Sequence, residues 1–178
     1  VDDCLDKINL SASHLLALVN DVLDMNKLES GKETIESASF DLKHLMDDVA
    51  SLVNAQIMEM GITHCTHRGE LTHTRLIGSP LRLRQIMLNL FSNAIKYNKP
   101  GGTIDTYAGE VSCDGTRVVY EFRITDSGIG MSSEFIEKEL FHPFTQEKSG
   151  ARTQYKGTGL GMSIVKELIE KMQGTIEV

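Results

Sequence analysis

Two carboxamides and an ammonium recur in Asn89-Leu-Phe-Ser-Asn93-Ala-Ile-Lys96-Tyr97, and residues four and seven apart return to nearly the same side of a helix. That face can hold a metal ion and a triphosphate. A carboxamide oxygen is a hard, neutral ligand suited to Mg²⁺, which keeps most of its water and is bound mainly through phosphates. Lys96 can neutralise phosphate charge, or it can be an ordinary solvated helix lysine. Tyr97 can lie against a base or within the core. Asparagine is a poor helix former and is costly to bury unpaired. The alternative use of the pair is to tie the helix to a neighbouring loop.

Downstream lie two glycine-rich stretches, Asp126-Ser-Gly128-Ile129-Gly130 and Gly157-Thr158-Gly159-Leu160-Gly161. Glycine turns let a backbone approach a ligand closely, and the second opens into a helical pattern whose first amides attract phosphate. Asp126 closes a strand pattern, where a carboxylate can accept a hydrogen bond from the exocyclic amine of adenine; guanine presents an oxygen at that edge. Each stretch alone is a weak signal. Their order and spacing together describe a pocket for ATP and Mg²⁺. Neither the dinucleotide G-x-G-x-x-G with its parallel β-α-β unit nor G-x-x-x-x-G-K-[ST] occurs.

These residues need elements to position them. Thr34 to Phe40 reads as a strand, and Asp41 as the cap of a helix running to Gly61. Strands are expected at Ile62 to Cys65 and Thr72 to Ile77, and Ser79-Pro80 opens the helix carrying Asn89 and Asn93. Lys99-Pro-Gly-Gly102 stops that helix. Thr103 to Ser112 and Arg117 to Thr125 form a hairpin about Asp114-Gly115. Ser132 caps a short helix to about Phe141, residues 145 to 156 form a mobile loop, a helix spans Leu160 to Met172, and a strand starts at Thr175. The expected class is α+β, a two-layer α/β sandwich whose mixed sheet is covered by helices on one face.

Ahead of it, Leu5, Ile8, Ala12, Leu15, Val19 and Val22 are spaced alternately three and four apart, a heptad seam widened by Leu16 and Leu23 and ending near Gly31. This long N-terminal helix suits packing with another chain, or with its own domain. The sequence begins within that pattern and reads as part of a longer protein.

The net charge of −7 over 178 residues speaks against nonspecific nucleic-acid binding. No apolar run approaches a membrane span, and residues 1 to 10 do not resemble a secretory signal. Cys4, Cys65 and Cys113 are odd in number and in no C-x-x-C spacing, so the spacing indicates neither a disulfide framework nor a zinc site, and a reducing cytoplasm is expected. Whether the parent protein is anchored in a membrane is left open.

The helix box, Asp126 to Gly130, Phe141-His-Pro-Phe144 and Gly157 to Gly161 resemble, in order, the asparagine box, first glycine box, phenylalanine box and second glycine box of the sensor histidine kinase catalytic domain. That domain is similar to the ATPases of DNA gyrase, heat-shock chaperones and MutL-type repair proteins. The resemblance covers residues 33 to 178. It implies that Asn89 and Asn93 hold Mg²⁺ and phosphates, that Lys96 assists, that Tyr97 packs by the base and that Asp126 reads adenine. Gly128, Ile129, Gly130, Met131, Phe141, Phe144 and the run Gly157, Thr158, Gly159, Leu160, Gly161, Met162 would line the nucleotide, with residues 131 to 157 as a lid.

Residues 1 to 31 resemble the second helix of the family's dimerisation and phosphoacceptor hairpin, which implies a homodimer in the parent and a response-regulator receiver domain as partner. None of the six histidines is followed by an acidic residue as the family's acceptor is. The resemblance therefore puts the acceptor outside this chain, and His14 is not it. The family's ATPases carry a glutamate as general base where this chain has Asn89, and an amide cannot take a proton at neutral pH. Phosphoryl transfer to a histidine is favoured over hydrolysis. The alternatives are a nucleotide-binding or dimerisation module without kinase activity and, less so, a superfamily ATPase. Three departures stand out: Ser79 where the family often has Asp, Lys156 where a glycine is common, and an end at Val178 before the family's last glycine box and strand.

Overall fold

The computed structural model describes residues 36–147 and 157–178, together with 12, 15, 16, 18–20 and 22–26. The expected Gly31 cap, the loop through residues 148–156 and the seam positions Leu5 and Ile8 lie outside the described residues. The chain divides into two compact units. The first takes in described residues 36–132; the second takes in 133–147, 157–178 and the described N-terminal positions.

In the first unit, strand β1 (Ala38–Asp41) leads into helix α1 (Leu42–Glu59), then β2 (Thr63–Arg68), β3 (Arg75–Gly78), α2 (Pro80–Lys96), β4 (Thr103–Cys113) and β5 (Val118–Asp126). Both helix starts follow from their caps. Asp41 Oδ1 accepts from the amides of Lys43 at 2.8 Å and His44 at 3.3 Å. Burial pushes the Asp41 pKa up, but these amides outweigh it and hold the carboxyl below its ordinary value. Ser79 is buried and accepts from Arg82 N, with Pro80 in the first turn where no amide hydrogen is needed.

The sheet is mixed: β2 pairs in parallel with β4, and β4 antiparallel with β5. A parallel pair needs a crossover, and α2 makes it. From its buried side, Met87, Phe91, Ala94 and Ile95 meet Val49, Val53 and Ile57 of α1 and Ile104 of β4 in one apolar cluster. His64 of β2 lies edge-on to Phe91 at 5.7 Å, its Nε2 3.0 Å from Thr106 Oγ1, and burial lowers its pKa. The expected sandwich of helices on one face of a mixed sheet is present. Its strands are divided differently, because β1 and β3 form a separate two-stranded antiparallel ladder.

The hairpin turns where Asp114-Gly115 predicts. Asp114 Oδ1 accepts from Arg117 N, Thr116 N and Thr116 Oγ1, and these donors, Arg117 N first, bring the carboxyl down to about 2. In the second unit, α3 (Ser133–Lys138) is shorter than expected, and α4 (Gly161–Lys171) buries Ile164, Val165 and Leu168. The strand expected at Thr175 is not formed: residues 174–178 pair with no strand among those described. β-Branched residues favour a strand only where a neighbouring ladder accepts their backbone.

Replacing Ser79 with alanine removes a buried cap. The expected loss is about 1 kcal/mol, or roughly 3 °C in Tm for a protein of this size. Thermal unfolding followed by circular dichroism checks it; an unchanged midpoint would mean that Arg82 N finds water instead.

Candidate functional site

The first unit brings the helix box and the Asp126 stretch together. β4 begins where α2 ends, and the hairpin returns the chain so that Asp126 pairs with Ile104 at the start of β4. Ile129 N then donates to Tyr97 O at 3.1 Å, fastening the loop after β5 to the end of α2. Gly128 is required by this approach, since a Cβ there would stand 2.4 Å from Tyr97 O and 2.6 Å from Asp126 Oδ1.

Beneath the contact lies Asn98, only 2 % exposed and not singled out by the sequence reading. Its Nδ2 donates to Thr103 O at 3.0 Å, and its Oδ1 accepts from Lys99 N at 3.0 Å and Ser127 Oγ at 3.2 Å. Ser127 Oγ in turn accepts from Thr103 N at 2.8 Å, and Ser127 N donates to Thr103 O at 3.1 Å. Helix end, strand start and glycine loop are thus one hydrogen-bonded unit. The only sequence signal was an asparagine just before Lys99-Pro-Gly-Gly102, which also reads as a plain helix stop.

Asn89, Asn93 and Lys96 are half-buried on α2, yet no side-chain hydrogen bond or ion pair engages them among the described residues. Lys96 Nζ lies 4.9 Å from the Tyr97 ring centroid. Among the described residues, the tie from helix to loop is made by Asn98. Asp126 is exposed, and its Oδ1 accepts from Gly128 N at 2.8 Å while Oδ2 has no partner among the described residues. Gly130 has φ +64°, and Ile129 and Met131 are 45 % and 42 % exposed. Carboxamide oxygens without a hydrogen bond among the described residues, an ammonium held only over a ring face and a presented carboxylate oxygen are donors and acceptors that a magnesium-bound adenine nucleotide could use.

The second unit gathers the other boxes. Gly159 has φ +72°, and a Cβ there would come within 2.8 Å of the Phe144 carbonyl carbon. Gln146 Nε2 donates to Gly157 O, so the glycine run is folded onto the segment after the phenylalanine box. Phe144 itself has φ 63° and is 66 % exposed, while Thr145 Oγ1 bonds back to Glu139 O at 2.7 Å and His142 O at 2.6 Å. Phe141 is half-buried with Lys166 Nζ 5.2 Å from its ring centroid. Thr158 Oγ1 accepts from Leu160 N at 3.2 Å, Leu160 is fully buried, and Gly161 and Met162 open α4 without a side-chain cap. Lys156, with the rest of residues 148–156 of the expected lid, lies outside the described residues.

The model of the family described as histidine kinase-, DNA gyrase B-, and HSP90-like ATPase matches residues 78–178. The chain belongs to this family. Over 174 residues it is 38 % identical to the signal transduction histidine-protein kinase BarA of Escherichia coli, covering 98 % of this chain and 19 % of that protein. With the sensor protein GacS of Pseudomonas syringae it shares 38 % identity over 180 residues, 99 % of this chain and 19 % of that one. The chain thus spans about a fifth of the length of these relatives. Its fold is similar to full-length ShkA in complex with AMPPNP, with a TM-score of 0.76 and 30 % identity over 97 % of this chain and 34 % of that one. It is a histidine kinase catalytic ATPase domain of the sensor-kinase type.

The two kinds of asparagine in this kinase domain are expected to separate on mutation. Asn98→Ala leaves buried partners unsatisfied and should cost about 2 kcal/mol. Asn89→Ala and Asn93→Ala remove nothing bonded and place a better helix former, so stability should hold or rise by up to about 0.5 kcal/mol. Urea unfolding of the three variants tests the contrast.

Proposed function

We propose that this chain is the Mg·ATP-binding catalytic core of a two-component sensor kinase, which passes the γ-phosphoryl group to a histidine supplied from outside residues 1–178. The observation that carries the reading is the set of half-buried Asn89, Asn93 and Lys96, without a side-chain hydrogen bond or ion pair among the described residues, on the helix whose end pins a glycine loop through Tyr97 O. Asn98 makes three of its four possible hydrogen bonds, whereas Asn89 and Asn93 make none among the described residues and keep that capacity for a ligand. The ShkA structure, with its AMPPNP, supports the nucleotide assignment.

In this reading Asn93, with Asn89, offers carboxamide oxygens to Mg²⁺ and its waters, and Lys96 offsets phosphate charge. Mg²⁺ supplies charge neutralisation at the transferring phosphoryl group. Asp126 Oδ2 accepts from the adenine amine, its other oxygen held by Gly128 N. Ile129, Met131 and Tyr97 present apolar surface for the base, and the uncapped start of α4 offers amides for phosphate. Asn89 cannot take a proton from water, which leaves positioning and charge neutralisation as the chain's contribution and favours transfer over hydrolysis.

The wider assembly belongs to the same proposal. Residues 33–178 form the catalytic domain and residues 1–31 one helix of a dimerisation hairpin. Of the latter, Leu15, Leu16, Val19 and Leu23 are about half exposed or more, and Leu15, Leu18, Val19, Val22 and Leu23 line an apolar groove. That face supports a homodimer in the parent, with a response-regulator receiver domain as the next phosphoryl acceptor.

Calorimetry with Mg·ATP and Mg·GTP is expected to show binding with a clear ATP preference. Asp126→Asn should lower ATP affinity by roughly 10- to 100-fold and erode that preference. Asn93→Ala should abolish the dependence on Mg²⁺. Full-length parent incubated with γ-labelled ATP should form an acid-labile phosphoprotein. If it forms none, or if this chain alone turns over ATP well above background, the kinase reading is wrong.

A further inference from the structure

The connection between β2 and β3 meets the far end of the hairpin at a second group of side chains. A ring nitrogen of His73, a carboxylate oxygen of Glu110 and Cys113 Sγ all lie within 4.8 Å of one another. We propose that these three residues bind a divalent transition metal of the zinc class, with water completing the coordination.

The donor set is one that such metals select: an imidazole, a carboxylate and a thiolate. Tetrahedral zinc, with bonds of about 2.0–2.3 Å, places its donors roughly 3.4–3.8 Å apart. The His73–Glu110 pair at 2.9 Å must open by about half an ångström and separations of up to 4.8 Å must close by about one, an adjustment that Cys113, exposed beside the turn, is placed to share.

The surroundings hold the donors. Glu110 is 12 % exposed, and its Oε2 accepts from Thr72 N at 3.1 Å and His73 N at 3.0 Å, so one carboxylate oxygen is fixed while Oε1 faces His73 Nδ1 at 2.9 Å. The Tyr120 hydroxyl donates to His73 O, anchoring the histidine backbone. Cys113 reaches the site because of a bulge. The β4–β5 register shifts between Glu110 and Ser112, and one unpaired residue there reverses the alternation of side chains. Without it Glu110 and Cys113 would point to opposite faces.

Metal binding at His73 Nδ1 moves the imidazole proton to Nε2, and the Cys113 thiol releases its proton to solvent. The site is separate from the Asp126 loop: Cys113 pairs with Val118 at one end of the hairpin, and Asp126 with Ile104 at the other. Along the strands that is roughly 25–30 Å at about 3.3 Å per residue. A simpler use of the same residues, an ion pair strapping the 72–73 segment to β4, needs no Cys113.

The thiol therefore decides the test. Metal-free, reduced chain titrated with Co²⁺ should develop a thiolate-to-cobalt absorption band at one equivalent, bleached by Zn²⁺. Cys113→Ser should abolish the band and weaken zinc binding in calorimetry by tenfold or more, and His73→Gln should weaken zinc binding similarly. Cys65→Ser and Cys4→Ser should leave both signals unchanged. No band in the unaltered chain, a band that survives Cys113→Ser, or equal zinc affinity in the His73→Gln variant overturns the proposal and leaves only the ion pair.

Discussion

A single buried carboxamide holds three parts of the first unit in register. Asn98 sits where α2 ends, donates to the first residue of β4 and accepts from Ser127 in the loop after β5. An unsatisfied amide at 2 % exposure would cost as much as a lost core contact, so each of its bonds constrains the others. Fixing the start of β4 fixes where the hairpin returns. That return brings Asp126 within one loop of Tyr97.

On this frame the chain keeps a division between polar groups that are used and polar groups that are held ready. Asn98, Ser127 and Gly128 N spend their hydrogen bonds on one another or on neighbouring backbone. Asn89, Asn93, Lys96 and Asp126 Oδ2 sit one shell outward with capacity left over. A fold selected for stability alone would place alanine or leucine at those helix positions. Retaining two asparagines, poor helix formers with no side-chain hydrogen bond among the described residues, is what supports the proposal of a ligand surface on this face. The second unit has its own version, in which Gly159 is pressed against Phe144 while α4 starts without a side-chain cap.

Much of this was legible in the sequence wherever the controlling interaction is local. The caps Asp41 and Ser79, the turn at Asp114-Gly115 and the stop after Lys96 each depend on residues within four positions of one another, and each stands where its residue types place it. The order of the boxes likewise pointed to the family. Strand boundaries were less accurate, with β2 running on to Arg68 and β3 starting only at Arg75, because strand ends are set by the partner strand. Thr175 to Val178 has strand-forming residues and no strand among those described, for the same reason.

What the sequence determined by itself, then, was the set of elements, their caps and the residue types offered to a nucleotide, since these follow from backbone preference and short-range hydrogen bonding. Tertiary structure decided which polar residues are spent. Nothing in the local sequence separates Asn93 from Asn98, five positions on; only the parallel crossover and the returning hairpin bring Thr103 and Ser127 to the second and leave the first open. The bulge between Glu110 and Ser112 decided in the same way that His73, Glu110 and Cys113 share one face. Both outcomes rest on contacts between residues dozens of positions apart, which only the assembled sheet creates.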